Sequence, residues 1–202
     1  MAHAHDHAHA ERDELGYYEA MQIAVAELLI EKGLFSADDM RREVEAMHAR
    51  TPARGAAVVA RAWANPAFKA ELLRDGTAAC ESFGIEMGPT RLVVVENTPD
   101  VHNVIVCTLC SCYPRMLLGV PPDWYKSRPY RSRMVREPRA VLAEFGLDLP
   151  AETLVRVHDS TADMRYLVLP ERPAGTTEMN EAERAALVGR DCMVGVALPK
   201  AP

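Results

Sequence analysis

The chain has 202 residues, a formal charge of -6 and a pI near 5.7, with 49% apolar and 26% charged residues. That mix belongs to a chain that buries an ordinary core, and its acidic balance argues against nucleic acid as a partner, because nucleic-acid binding rests on a basic surface. The longest strongly apolar runs, "RLVVVE" and "NVIVC", fall far short of the roughly 20 residues a membrane span requires. The N-terminus "MAHAHDHAHAERDE" lacks the apolar middle of a secretory signal, so a cytoplasmic protein is expected.

Residues 1–16, with the alternating histidines of "HAHDHAHA", read as a disordered tail with at most weak metal capture. Residues 17–51 read as a helical arm that reaches toward a partner. Its first helix carries Met21, Val25, Leu28 and Leu29 at helical spacing and stops at Gly33. Its second starts with Ser36 as N-cap and Asp39 three residues on, carries Met40, Val44 and Met47 along one face, and ends before Pro52. Met21, Met40 and Met47 are expected to fill core or interface.

A third helix is expected over 54–64, and "NPAFKAELLRDG" predicts a fourth, capped by Asn65 with Pro66 at its first position. From about residue 84 the period changes. "RLVVVENTP" and "VHNVIVC" are short β-branched runs separated by "NTPD" and read as strands of a buried sheet. "REPRAVLAEFG" predicts a helix ended by Gly146, "ETLVRVHDS" and "MRYLVLP" a strand pair, "NEAERAALVGRD" a helix, and "CMVGVALP" a last strand. Helices followed by strands indicate an α+β domain over 52–202.

Between the second strand and the helices that follow lies "VCTLCSCYP", which places Cys107, Cys110 and Cys112 within six positions. Five cysteines, three of them crowded together with no export signal, point to ligands or catalysts rather than a disulfide framework. Zinc wants a fourth ligand, and no second CxxC or HxxxH supplies one. A redox CxxC leaves Cys112 idle, and an iron-sulfur cluster wants a fourth cysteine nearby. One metal clasped by a very short loop remains. A metal held by both sulfurs of C-S-C lies against the peptide units joining them, within reach of the amide nitrogens of Ser111 and Cys112. Three sulfurs and two deprotonated amides fill five positions of an octahedron, leave one open, and suit a trivalent low-spin ion. An open position on such an ion can polarise a substrate or activate water.

"VCTLCSCYP", with "GVPPDWYKSRPYRSRMVREPR", "TADMRYLVLPERPAGT" and "GVALP", resembles the α subunit of nitrile hydratase from about Leu28 to the C-terminus. Thr108 after the first cysteine resembles the cobalt branch of that family rather than the iron branch. The resemblance implies a layered α/β/β/α-type domain carrying a metal claw. Cys107 would be the axial thiolate, Cys110 a sulfinate and Cys112 a sulfenate, with the amides of Ser111 and Cys112 completing the claw around Co(III). Cys112, Cys110 and Ser111 would carry catalysis: attack on the nitrile carbon by the sulfenate oxygen or by bound water, giving the amide. It further implies a β-type partner subunit whose arginines pair with the oxidised sulfurs, a heterodimer or higher hetero-oligomer, and a metal-delivering activator.

One departure matters. Many nitrile hydratases have Trp-Pro after "CSCYP", where this chain has Arg115 and Met116. These two, with Thr108, are expected to line the substrate pocket, and Arg115 favours a polar or anionic substrate. The related thiocyanate hydrolase uses the same claw in its γ subunit on an anion, so that activity stands beside hydration of a large polar nitrile. A non-catalytic, cobalt-carrying form and a structural zinc module are the remaining readings.

Asp163 and Arg165 match family positions near the claw and are expected to support it from behind. His102 and His158 flank apolar runs and are expected to be hydrogen-bonded structural histidines. Cys80 and Cys192 read as buried small hydrophobes. Arg131, Arg133, Arg136 and Arg139 form a basic run, either a solvated face or a set of ion pairs across a subunit interface.

Overall fold

The computed structural model describes residues 16–201, and the expected tail therefore lies outside the described residues apart from Gly16. The chain divides into two compact units, Met1–Ala46 and Met47–Pro202.

The first unit contains helix α1 (Tyr17–Glu31) and most of α2 (Ala37–His48). The Ser36 hydroxyl accepts from the Asp39 N–H at 3.1 Å while the Asp39 carboxylate accepts from the Ser36 N–H at 2.9 Å, a reciprocal cap that fixes where α2 begins. Neither helix buries a residue. Met21 and Met40 are exposed and Met47 is half-buried, so none belongs to the core.

In the second unit, α3 (Ala53–Ala64) and α4 (Pro66–Arg74) meet at Asn65, whose side chain accepts from the Phe68 N–H. Helix α4 ends within "RDG", as expected, and the same segment also supplies a second cap. Asp75 accepts from the Ala78 N–H and starts α5 (Gly76–Ser82). Then come β1 (Arg91–Glu96) and β2 (Val101–Val106), the short helices α6 (Arg115–Leu118), α7 (Asp123–Lys126) and α8 (Arg128–Arg133), and α9 (Pro138–Glu144), which Gly146 follows at φ +79°. The chain closes with β3 (Leu154–Asp159), β4 (Met164–Leu169), α10 (Glu181–Ala186) and α11 (Arg190–Val194).

The architecture is α+β, as expected, but β3 and β4, expected as a strand pair, do not pair with each other. β1 pairs in parallel with β4, and β2 in parallel with β3, as two separate two-stranded sheets. The connections β1 to β2 and β3 to β4 are too short to return a strand in parallel, and each hops from one sheet to the other. The sheets pack on each other, with α4, α5 and α11 against the β1–β4 side and α9 against β3. β2 is buried along nearly its whole length, His102 and Asn103 included, and it ends in the apolar run Val104–Val106.

The expected last strand "CMVGVALP" is helix α11 ended by Gly195. A short apolar run does not distinguish a buried strand from a buried helical turn, and the deciding constraint is distant. Gly195 adopts φ +92°, and a Cβ there would lie 2.1 Å from the Asn103 carbonyl oxygen, so the turn closes directly onto the β2 backbone.

Candidate metal centre

β2 delivers the cysteine loop from the middle of the core. Its last residues are held by neighbours on both sides: the Tyr130 hydroxyl donates to the Ile105 carbonyl at 2.7 Å, and the Ser160 N–H to the Val106 carbonyl at 2.8 Å. Cys107 emerges at the end of that strand and is buried, Cys112 is half-buried, and Cys110 is exposed. The three sulfurs lie within 4.8 Å of one another, with Cys107 Sγ 3.3 Å from Cys110 Sγ and Cys110 Sγ 3.1 Å from Cys112 Sγ. The Cys110 N–H points to Cys107 Sγ at 3.3 Å.

The loop is tied from outside at three points. Asp159, the last residue of β3, accepts from both the N–H and the hydroxyl of Thr108, at 2.9 and 2.6 Å. Arg131 Nη1 donates to the Cys110 carbonyl at 3.0 Å, and the Tyr125 hydroxyl to the Cys112 carbonyl at 2.9 Å. Holding the Cys110 carbonyl outward turns the Ser111 N–H of the same peptide inward, and the amides of Ser111 and Cys112 both help to lower the Cys110 thiol.

These contacts set the electrostatics. Hydrogen bonds from the Cys112 and Cys107 thiols bring the Cys110 thiol down to about 7. Burial, then hydrogen bonds to Cys110 and Cys107, push Cys112 up to about 12, with Arg165 opposing. The cluster thus gives up a first proton from Cys110 readily and holds the Cys112 proton until a cation competes for the sulfur. Three convergent thiols with two inward amides fit a soft-ligand metal. Among the described residues no further His, Cys, Asp or Glu joins the group, so a four-ligand structural zinc site has no fourth protein ligand here.

A cleft of about 430 Å³ opens on the exposed side of the claw, lined among others by Cys110, Ser111, Cys112, Arg115, Met116, Arg50 and Arg165. Thr108, expected in the pocket, does not line it and is turned instead to Asp159. Arg165 caps the carbonyls of Thr161, Ala162 and Met164 with Nη1. Asp163 is exposed, and it is its carbonyl that holds Arg91 N–H, at 2.9 Å.

A profile described as "Nitrile hydratase, alpha chain" matches residues 16–197. The chain belongs to the nitrile hydratase α family. It is 46% identical over 200 residues to the thiocyanate hydrolase γ subunit of Thiobacillus thioparus, covering 93% of this chain and 82% of that one. It is 48% identical over 181 residues to the α subunit of the low-molecular weight cobalt-containing nitrile hydratase of Rhodococcus rhodochrous, covering 89% and 87%. Among solved structures, a recombinant thiocyanate hydrolase with partially modified cobalt centres superposes with a TM-score of 0.86 at 45% identity, covering 93% and 92%. A double mutant of the Fe-type nitrile hydratase of Comamonas testosteroni Ni1 gives 0.85 at 46%, covering 92% and 91%. Members of the nitrile hydratase α family thus include cobalt and iron forms and two reactions.

Sequence reasoning missed Asp159, Tyr125 and Arg50, and placed Arg131 in the basic run without its bond to the cysteine loop. Asp159 would have been found from the strand register alone, because it stands opposite Val106, next to Cys107. His102 and His158 are structural, as expected. The buried His102 ring lies 2.7 Å from the Gly195 carbonyl through Nε2 and 3.2 Å from Asn97 Nδ2 through Nδ1. This places the proton on Nε2. His158 Nε2 meets Asn103 Oδ1 at 2.8 Å. Cys80 and Cys192 are buried in the core. In the basic run, Arg133 pairs with Glu137 and Glu144, Arg136 bonds the Ser132 carbonyl, and Arg139 bonds the carbonyls of Leu149, Ala151 and Thr153.

Proposed function

We propose that this chain is the metal-bearing α-type subunit of a cytoplasmic nitrile hydratase, adding one water across a carbon–nitrogen triple bond to give the amide. The observation that carries this reading is the convergence of Cys107, Cys110 and Cys112 with the inward amides of Ser111 and Cys112 at the wall of a cleft. Those five groups would hold low-spin Co(III), iron being the less favoured ion, and when bound the ion supplies a Lewis acid that polarises the nitrile.

Cys107, buried behind the cluster, anchors the claw. Cys110 and Cys112, toward solvent, are the sulfurs open to oxidation, to sulfinate and sulfenate respectively. The Cys112 oxygen would face the cleft as the group that attacks the nitrile carbon or takes a proton from water. Ser111, which lines the same cleft, would pass a proton toward the nitrile nitrogen. Residues 17–51 would serve as the arm that engages a β-type subunit, whose arginines would pair with the two oxidised sulfurs in a heterodimer or larger assembly, and 52–202 as the catalytic domain. An activator would deliver the cobalt.

The second reading, the γ-type subunit of a thiocyanate hydrolase, is favoured by a specific feature. The cleft wall carries Arg50, Arg115 and Arg165 and no carboxylate, a surface suited to an anion. The test is turnover by the chain co-expressed with its β-type subunit in cobalt medium, offered a nucleoside-like nitrile, a small aliphatic nitrile and thiocyanate side by side. Amide formation lost in Cys112→Ala supports the hydratase. Carbonyl sulfide and ammonia from thiocyanate, with nitriles untouched, replaces it with the second reading, and cobalt retained without turnover of any of the three makes the chain a carrier.

A further inference from the structure

Arg131 sits in α8, away from the cleft wall, and its guanidinium is committed in an unusual way. Nη1 donates to the Cys110 carbonyl at 3.0 Å, while the Nε–H is buried with no hydrogen-bond partner among the described residues. Its neighbour Arg133 takes both Glu137 and Glu144, and among the described residues no carboxylate pairs with Arg131, which brings its positive charge to one peptide oxygen. Leaving a buried donor unpaired is costly, and the position of this side chain therefore does not follow from satisfying its own hydrogen bonds.

The carbonyl it holds belongs to the Cys110–Ser111 peptide, whose nitrogen is the Ser111 amide. The described chain has no cis peptide, so that planar unit points its oxygen and its N–H in opposite directions. Fixing the oxygen on Arg131 turns the Ser111 N–H toward the sulfurs, where it acts on Cys110. An amide nitrogen that binds a metal as an anion shares its charge, through the same resonance, with the carbonyl oxygen of its peptide. A guanidinium on that oxygen stabilises the anionic form without touching the metal, as second-layer partners of metal ligands do.

We propose that Arg131 is a positioning residue for the claw, holding the Cys110–Ser111 peptide with its nitrogen inward and placing a fixed positive charge against its oxygen. This rests on the reading that the Ser111 amide is a metal ligand. Tyr125 does not duplicate the role, because the Cys112 carbonyl it holds belongs to the peptide after the claw.

The test uses the full chain co-expressed with its β-type subunit in cobalt medium, as wild type, Arg131→Gln, Arg131→Lys and, as a control on the same helix, Arg133→Gln. Cobalt per chain, the rate of cobalt incorporation and the sulfur-to-cobalt absorption bands are measured alongside circular dichroism of the fold. Arg131→Gln is expected to slow incorporation about tenfold to a hundredfold and to shift the bands. Arg131→Lys, which keeps the charge but not the fork, should recover part of both, and Arg133→Gln should match wild type. Arg131→Gln with wild-type cobalt content, rate and bands overturns the proposal. If Arg131→Gln fails to fold, Arg131→Lys decides: a folded Lys variant with slowed incorporation and shifted bands supports the proposal, and a folded Lys variant identical to wild type in cobalt content, rate and bands overturns it. Wild type that takes up no cobalt overturns the underlying metal reading instead.

Discussion

Replacing Asp159 by Asn should loosen the cysteine loop without unfolding the protein. The carboxylate accepts two hydrogen bonds from Thr108, at 2.9 Å from the N–H and 2.6 Å from the hydroxyl. Hydrogen bonds to a charged group contribute about 1.5–3 kcal/mol each when water is excluded, and Asp159 is exposed, so about 1 kcal/mol each is the appropriate scale. The amide keeps one neutral acceptor and sets an NH₂ against the second donor. The expected loss is then about 1–1.5 kcal/mol, or roughly a 5–12-fold rise in the open population of the loop. The reporter is the Thr108 amide itself, whose hydrogen exchange should quicken by that factor while amides inside β2, such as Val104, keep their protection. A double-mutant cycle with Thr108→Val should return a coupling of at least about 0.5 kcal/mol. Thr108 exchange within twofold of wild type, or strictly additive single mutants, would refute the clamp.

Gly195→Ala forces a side chain into a left-handed backbone and within 2.1 Å of the Asn103 carbonyl oxygen. A loss of about 3 kcal/mol and a fall of about 6–12 °C in the thermal midpoint are expected, and a midpoint within 2 °C of wild type would contradict the close approach. Tyr125→Phe removes the donor to the Cys112 carbonyl at a cost of about 1 kcal/mol, measurable as a shift of the urea midpoint at unchanged slope; no shift would mean that the hydroxyl does not hold the loop. Burial lowers the pKa of His102, with the Gly195 carbonyl opposing, and burial and Arg156 lower that of His158. Because the folded state disfavours their protonation, the unfolded chain takes up more protons below the ordinary value of 6.5. Stability from these two residues is complete above that pH and declines as pH falls through the folded values. Denaturant midpoints between pH 7.5 and 5 should show this slope, and His102→Gln should reduce it; an unchanged slope in that variant would assign the acid sensitivity elsewhere.

Signals that act over a few residues were legible. The Ser36–Asp39 cap, the Asn65–Pro66 start of α4, the glycine stop at 146 and the cysteine claw are all local patterns, and each is where the sequence places it. What eluded the sequence depends on partners far along the chain. β3 and β4 look like a strand pair because they are neighbours in sequence, yet β2 and β1 take them as partners instead. "CMVGVALP" looks like a strand until the β2 backbone beside Gly195 is known. Asp159, Arg131 and Tyr125 carry no local mark of their role, because each is an ordinary surface or core residue until the fold brings it to a loop carbonyl or amide.

The parallel pairing of β2 with β3 also bears on when the claw can exist during synthesis. The three cysteines leave the ribosome within six residues of one another, but the groups that fix their loop follow 13, 21 and 51 residues later. β2 itself has no partner until residues 154–159 have been made. Such non-local pairing forms slowly, because a long loop must close before any contact rewards it. A nascent chain therefore displays three unconstrained thiols, which bind whichever soft ion or oxidant arrives first. Under the proposed metal reading, selective loading has to wait until residues 154–159 have been made and the sheets have closed, so a metal supplied to the completed fold and a metal supplied during synthesis are not equivalent starting points.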